Sequence, residues 1–299
     1  MAEGKLIMTI DTIIRRSIDL HVHIGPEIIP RKFTVPTLIT EETGNIAGMA
    51  LKNHFFPTVP FINEINSPEI ILIGSVVLNN FVGGLNPDGV YAASTLTKKP
   101  FIVWFPTVSS KQFLSNSRWE IAPEWVQRQD FFARASKTVN GIELLDANGK
   151  LKRETVNVLK AIKQAGAILA TGHISWQESL KLVKAANALG IKKIIVTHPI
   201  YQKIAMPIAV QKHLTTYGAK IEHCFSMYSI DNIPISEIAS QIKAVGYQNC
   251  IMSSDVGQTF SPSPSIALKT FSQLLAREGI SLGELTKMLV DNPQELIAI

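Results

Sequence analysis

Apolar, β-branched runs recur along the chain at about 17–23, 49–56, 70–78, 101–106, 167–172, 193–198, 220–225 and 250–255. Each has the length of a strand, and between several of them the pattern changes to the period of an amphipathic helix. Across 154–165, Val156, Leu159 and Ile162 share one face, while Lys152, Lys160 and Lys163 fall largely elsewhere. Ser175-Trp176-Gln177-Glu178 is a capping box opening a helix over 176–188, and Ser281-Leu282-Gly283-Glu284 opens another over 282–290. Asn292-Pro293 begins a last short helix, with proline at the tolerated first position. Gly166 and Gly190 stand just past helix ends, where a left-handed cap is expected. The apolar stretch 6–14 is interrupted by Asp11 and followed by Arg15-Arg16, so it reads as a short helix leading into the first strand rather than an export signal.

Eight strands alternating with helices predict an α/β protein, a (β/α)8 TIM barrel rather than an open doubly wound sheet. No G-x-G-x-x-G or P-loop follows a strand; Gly83-Gly84 before Leu85-Asn86-Pro87 reads as a turn into a helix. The 299 residues could hold two average domains, but one barrel domain over 1–299 fits the pattern better. The stretch 109–151 is irregular and rich in Ser, Asn, Trp and Arg, and it ends in a predicted hairpin over 141–149 with a tight Asn148-Gly149 turn. It is expected to be an insertion between the fourth and fifth strands, lying over the barrel mouth.

Composition narrows the function classes. A hydrophobic share of 46% with 18% charged residues is that of a globular protein with a sizeable core. The net charge of +5 is scattered, its longest clusters being pairs such as Lys98-Lys99 and Lys192-Lys193, which argues against a nucleic-acid partner. No apolar run approaches the ~18 residues needed to span a bilayer. Cys224 and Cys250 each fall inside a predicted strand, as expected of reduced, buried thiols in a cytoplasmic protein. With no zinc-knuckle spacing, any metal must be held by histidine and carboxylate.

The candidate chemistry lies at the strand ends, where barrel enzymes gather residues distant in sequence. The first run ends in His21-Val22-His23, and alternation presents both imidazoles to one side, about 7 Å apart at a rise of roughly 3.4 Å per residue. Thr171-Gly172-His173, Thr197-His198-Pro199 and Ser253-Ser254-Asp255 each close another run in the same manner. Singly, each histidine is more often structural and Asp255 as often a turn residue; all five at strand ends argue for a metal site. Histidines with one carboxylate suit zinc, and also iron, nickel or manganese. An open coordination position would be catalytic, because the cation lowers the pKa of its water to about 7. Asp255 could then take that proton, and His198 could polarise the substrate or stabilise an oxyanion.

This order of ligands resembles the amidohydrolase superfamily of metal-dependent barrel enzymes. Within it, Asp19-Leu20-His21-Val22-His23, Pro30-Arg31-Lys32, Leu51-Lys52-Asn53-His54, Val82-Gly83-Gly84-Leu85-Asn86-Pro87, Val103-Trp104-Phe105-Pro106-Thr107 and Thr171-Gly172-His173 together resemble an uncharacterised amidohydrolase-like domain-of-unknown-function family, over about 17–255. The resemblance implies that His21, His23, His173 and Asp255 bind the metal and that Asp255 also handles protons. By the same resemblance His198 is an electrostatic catalyst, or a ligand if a second metal is bound. Many two-metal members carry a carbamylated lysine or glutamate at the end of the fourth strand, where this chain has Trp104-Phe105-Pro106-Thr107. One divalent ion, with zinc the leading candidate, is therefore favoured over two.

Lys52 and His54 alternate on the second strand, so both are expected to face the interior. Lys52 could be carbamylated, form a Schiff base, or pair with a carboxylate such as Glu222. Glu222 and His223 are adjacent, so at most one points inward. Arg31 in the first loop could clamp a substrate carboxylate or phosphate, although a surface salt bridge is the commoner fate. His54, Asn79 and Thr107, at or near strand ends, are candidate substrate contacts; Glu27 could reach the metal from the first loop but is not favoured, and His213, on a predicted surface helix, is the weakest candidate. The leading expectation is a hydrolase acting on an amide, lactone, ester or amidine of a small polar molecule through a metal-bound hydroxide. A metal-dependent decarboxylase is the alternative, followed by a phosphoesterase and a non-catalytic metal-containing binding protein. Pairing into a homo-oligomer is left open.

Overall fold

The structure, a computed structural model, describes residues 8–65, 69–126 and 134–298. Leu6 and Ile7, where the predicted first helix begins, and 127–133 of the predicted insertion lie outside the described residues. That helix runs from Ile10 to Arg16.

Parallel strands hydrogen-bond in chain order: β1 (Ile18–His23), β2 (Gly48–Lys52), β3 (Ile71–Val77), β4 (Phe101–Trp104), β5 (Ile168–Ala170), β6 (Ile194–Val196), β7 (Lys220–Cys224) and β8 (Cys250–Ser253). The ring is joined just past β8, where Asp255 N–H donates to the His21 carbonyl and His23 N–H to the Val256 carbonyl, both at 2.8 Å. With helices between successive strands, this is a (β/α)8 TIM barrel. Several strands are shorter than the apolar runs that announced them. β2 stops at Lys52 because the Asn53 side chain accepts from Phe55 N–H (2.9 Å) and Phe56 N–H (3.1 Å), turning the chain out of the ladder.

The capping boxes form as read. Ser175 and Glu178 open a helix over Trp176–Ala188. Ser281 and Glu284 open Leu282–Thr286, which passes through a π-helical stretch, Lys287–Asp291, into Asn292–Ile297. The turn near Gly149 differs from the prediction. Asp146 N–H donates to the Lys150 carbonyl at 2.8 Å, and Asp146 Oδ1 accepts from Asn148 and Lys150 N–H, both at 2.9 Å. The loop therefore spans Ala147 to Gly149, because the Asp146 carboxylate caps it one residue earlier than an Asn-Gly turn requires.

The barrel interior is a packed core of Ile18, Leu20, Ile73, Ile102, Ile168 and Ile251, closed at its base by Leu296 of the final helix. A second apolar layer lies between sheet and helices. Strict alternation along β1 would give Leu20 and His21 opposite faces. The β1–β2 register slips between Asp19 and Val22, so Leu20 stays in the lower core while His21 and His23 both turn into the interior above it. Asp19 holds this irregularity: its Oδ1 accepts from His21 N–H (3.1 Å) and from Ser254 N–H (3.0 Å), tying β1 to the end of β8.

Candidate metal centre and active site

Above the apolar core, the carboxyl ends of the strands converge on a buried polar cluster. His21 Nε2 lies 2.9 Å and His23 Nε2 3.0 Å from the same Asp255 oxygen, Oδ1. Ser226 Oγ donates to the other oxygen, Oδ2, at 2.7 Å. Asp255 has φ 51°, the left-handed region that aspartate tolerates better than most residues, and this turns its carboxylate back over the rim. Ligand atoms of His21, His23 and Asp255 all lie within 4.8 Å of one another, and so do those of His21, Glu222 and Cys224 deeper in the barrel.

The other two histidines share this rim. The His173 and His198 rings are 5.0 Å apart, and His198 stacks on His21 at 5.9 Å. His173 thus lies one ring away from the tight cluster of His21, His23 and Asp255. The inward member of the Glu222–His223 pair is Glu222, whose Oε2 is 3.3 Å from His21 Nδ1. His223 is buried with neither ring nitrogen hydrogen-bonded among the described residues. His213 is exposed on its helix.

Lys52 points inward beneath the cluster. Its Nζ is 2.8 Å from His21 Nε2 and 4.2 Å from the centre of the Trp104 ring. Burial pulls the Lys52 ammonium down, against the opposing pull of Asp255 and Glu222. Burial also disfavours the His21 cation, but Asp255 and Glu222 outweigh it and the net shift is upward. Burial would raise Asp255, yet His21 and His23 hold it well below the usual carboxylate range. Burial, joined by the Arg31 cation, keeps His23 well below the imidazole range. Burial and neighbouring cationic groups do the same for His54 and His173, and burial takes His198 down to about 4. Neutral imidazole is the form that ligates metal. His23 meets this condition as it stands, and His21 would meet it once a bound cation displaced its proton. Two imidazoles and a carboxylate on one point fit a divalent cation, and the buried Glu222 Oε1, with no hydrogen bond among the described residues, is a further uncommitted donor.

A cavity of about 540 Å³ opens above the cluster, with His23, His54, His173, His198 and Asp255 on its wall. Segment 113–125 contributes Phe113, Trp119 and Trp125, and the loops after β6 and β7 add Tyr201, Lys203 and Asp231. Arg31 reaches the cavity, but its Nε (2.8 Å) and Nη2 (3.1 Å) both donate to the buried Glu27 carboxylate. Its fork is therefore filled from within the chain, and Glu27 is the clamp's partner. Asn79 and Thr107 stand behind His54: Thr107 Oγ1 meets His54 Nδ1 at 3.0 Å and accepts from Asn79 Nδ2 at 2.9 Å. Among the described residues neither lines the cavity, because their hydrogen bonds are committed to fixing His54. Sequence reasoning missed Asp19 and Ser226, and also Lys203. The Asp19-Leu20-His21 run held the only signal for Asp19, a carboxylate inside an otherwise apolar strand.

Solved structures share this barrel at low identity. An amidohydrolase from Pseudomonas aeruginosa matches with a TM-score of 0.64 at 9% identity, covering 97% of this chain and 98% of that chain. A putative 2-pyrone-4,6-dicarboxylic acid hydrolase from Pseudomonas putida matches with a TM-score of 0.58 at 11% identity, covering 95% and 97%. A TatD homolog from Escherichia coli K12 matches with a TM-score of 0.56 at 12% identity, covering 95% and 99%. At these identities the likeness is one of fold. On that fold His21, His23 and Asp255 are gathered at the carboxyl rim of the barrel. The chain belongs to the family described as a family of unknown function (DUF6282), whose model matches residues 16–222. No curated protein sequence matches it. Among the described residues, no helix is long and apolar enough to cross a membrane.

Proposed function

We propose that the protein is a metal-dependent hydrolase that cleaves a C–N or C–O bond of a small polar molecule, an amide, lactone, ester or amidine. The observation that carries this reading is the convergence of His21 Nε2 and His23 Nε2 on Asp255 Oδ1 at the floor of the cavity. His21, His23 and Asp255 would hold one divalent ion, with His173 a further candidate ligand; zinc suits this set best. When bound, such an ion supplies Lewis-acid polarisation and lowers the pKa of water.

The chain's own groups divide the remaining work. Asp255 is held ionised, so it can take a proton from the attacking water and return it to the leaving group. Ser226 fixes the carboxylate's rotation through Oδ2 while Oδ1 faces the histidines. His198 is neutral at physiological pH and faces the cavity, so one ring N–H can donate to an oxygen on which negative charge develops. His54, oriented through Nδ1 by Thr107 and Asn79, presents its other nitrogen as a substrate contact. β4 ends in the Trp104 ring, 4.5 Å from His21, where a two-metal site would need a bridging carboxylate. This supports one ion over two. For the decarboxylase alternative, the residue expected to clamp a substrate carboxylate, Arg31, has its fork held by Glu27.

The test is elemental analysis of the purified chain with an anomalous map of the rim, followed by a panel of small amides, lactones and esters. One ion at His21, His23 and Asp255, with turnover abolished in Asp255→Asn, is expected. An ion elsewhere, or undiminished turnover in that variant, would sink the reading.

A further inference from the structure

The cavity wall carries a cation that none of the proposed chemistry uses. Lys203 is half-buried on the loop after β6, with its Nζ 4.0 Å from the centre of the Phe113 ring. It donates to Ser117 Oγ, and its backbone carbonyl accepts from Gln112 Nε2 at 2.6 Å. Phe113 in turn stacks on His173 at 5.5 Å, and Tyr201 contacts both His173 (5.5 Å) and His198 (5.4 Å). The ammonium is therefore one ring away from the histidines, on an aromatic wall.

The other charges of the cavity are largely committed. Arg31 is held by Glu27, and Arg118 lies over the Trp119 face, exposed. Glu120 is taken by Arg134 and Ser109, and Asp255 by the histidines and Ser226. Asp231 lies on the same wall and interacts with Lys203 through space, but among the described residues no carboxylate comes within 4.0 Å of its Nζ. An ammonium has three donors, and Ser117 takes one. A partly desolvated cation without a close counter-charge is costly unless a ligand supplies one.

We propose that Lys203 receives an anionic group of the substrate, carboxylate or phosphate, whose flat apolar body lies along Phe113 and Tyr201 with its scissile bond toward Asp255. This rests on reading the cavity as the active site, and it narrows the small polar molecule to an anionic, unsaturated or aromatic compound. Aromatic faces accept a planar body at little conformational cost, and the cation sets which end enters last.

Benzoate, phenyl phosphate and the neutral isostere benzamide serve as probes, titrated against the full chain by calorimetry. Both anions should bind at least about tenfold more tightly than benzamide. Lys203→Met should remove that preference and leave benzamide unchanged, while Lys203→Arg restores most of it. Lys203→Gln is a second neutral variant should the methionine fold poorly, and circular dichroism checks each. Tighter binding of phenyl phosphate would mark a phosphate site and the reverse a carboxylate site. Equal binding of benzoate and benzamide would overturn the proposal, as would a preference that survives in both neutral variants. The titration is repeated after chelation: a preference kept without metal supports Lys203, and one lost with the metal places the anion at the metal centre and overturns it. If Lys203 behaves as described but no hydrolysis occurs across the panel, the hydrolase reading falls and the anion site stands.

Discussion

Lys52 places an ammonium 2.8 Å from His21 Nε2, the same nitrogen that faces Asp255. A fixed cation so close to the ligand atoms repels a second cation, and in the low-dielectric interior that repulsion is screened little. Lys52→Met should therefore bind zinc about tenfold more tightly, roughly 1.4 kcal/mol, in competition with a chromophoric chelator. Weaker binding in the variant would instead make Lys52 a contributor to the ligand set, as carbamylation would. Asp19 gives a second residue-level prediction. Burial pushes its carboxyl up to about 7, against the hydrogen bonds from Ser254 and His21. From roughly pH 4 to pH 7 the folded chain thus keeps a proton that the unfolded chain has released. Stability falls as pH rises through that window, by up to about 1.4 kcal/mol per pH unit from this group, and the loss ends above the folded value. Asp19→Asn keeps an acceptor oxygen for both N–H groups but does not titrate. Its urea midpoint should fall less steeply between about pH 5 and pH 7 than that of the parent, and parallel curves would refute the assignment.

At the scale of elements, the short strands place side chains, and glycines let the chain leave the sheet at the right angle. Gly172, between β5 and His173, has φ +64°, and a Cβ there would lie 2.2 Å from the Phe105 carbonyl oxygen. Gly172→Ala should cost about 2–4 kcal/mol and move His173 off the rim, seen as a lower denaturant midpoint. An unchanged midpoint would show that the β4 and β5 ends can separate without cost. The strands and capped helices were legible because hydrophobic period and capping chemistry are local. His21, His23 and Asp255 were legible as strand-end residues because a parallel barrel brings every strand end to one rim. What escaped depends on register and on partners far along the chain. Alternation alone could not show that β1 slips so that Leu20 and His21 both face inward. Nor could strand-end position show that Asn79 and Thr107 brace His54, or that Glu27, four residues before Arg31, fills its fork. Lys203 sits in a loop with no periodicity, where a lone lysine reads as solvated surface.

For the whole molecule, the polar rim is a structural cost as well as the proposed site. His21, Lys52, Glu222 and Asp255 are packed together with little or no solvent exposure, and such groups are stable only with matched charges and hydrogen bonds. A divalent ion on His21, His23 and Asp255 would bind the folded barrel and not the dispersed ligands of the unfolded chain, because residues 21 and 255 meet only when the ring closes. Mass action then converts affinity into stability: at a free metal concentration about a hundred times Kd the gain is about 2.7 kcal/mol. For a chain of this length that is a shift of about 4 °C in Tm. Chelation should lower Tm by that amount, and readdition of zinc should restore it. In His21→Ala with His23→Ala, the barrel core of Ile18, Leu20, Ile102 and Ile251 is untouched, so the chain should still fold. Its Tm should no longer respond to zinc or chelator. A double variant that keeps the full metal-dependent shift would place the ion elsewhere in the molecule, and the bulge in β1 would then have to be explained by packing alone.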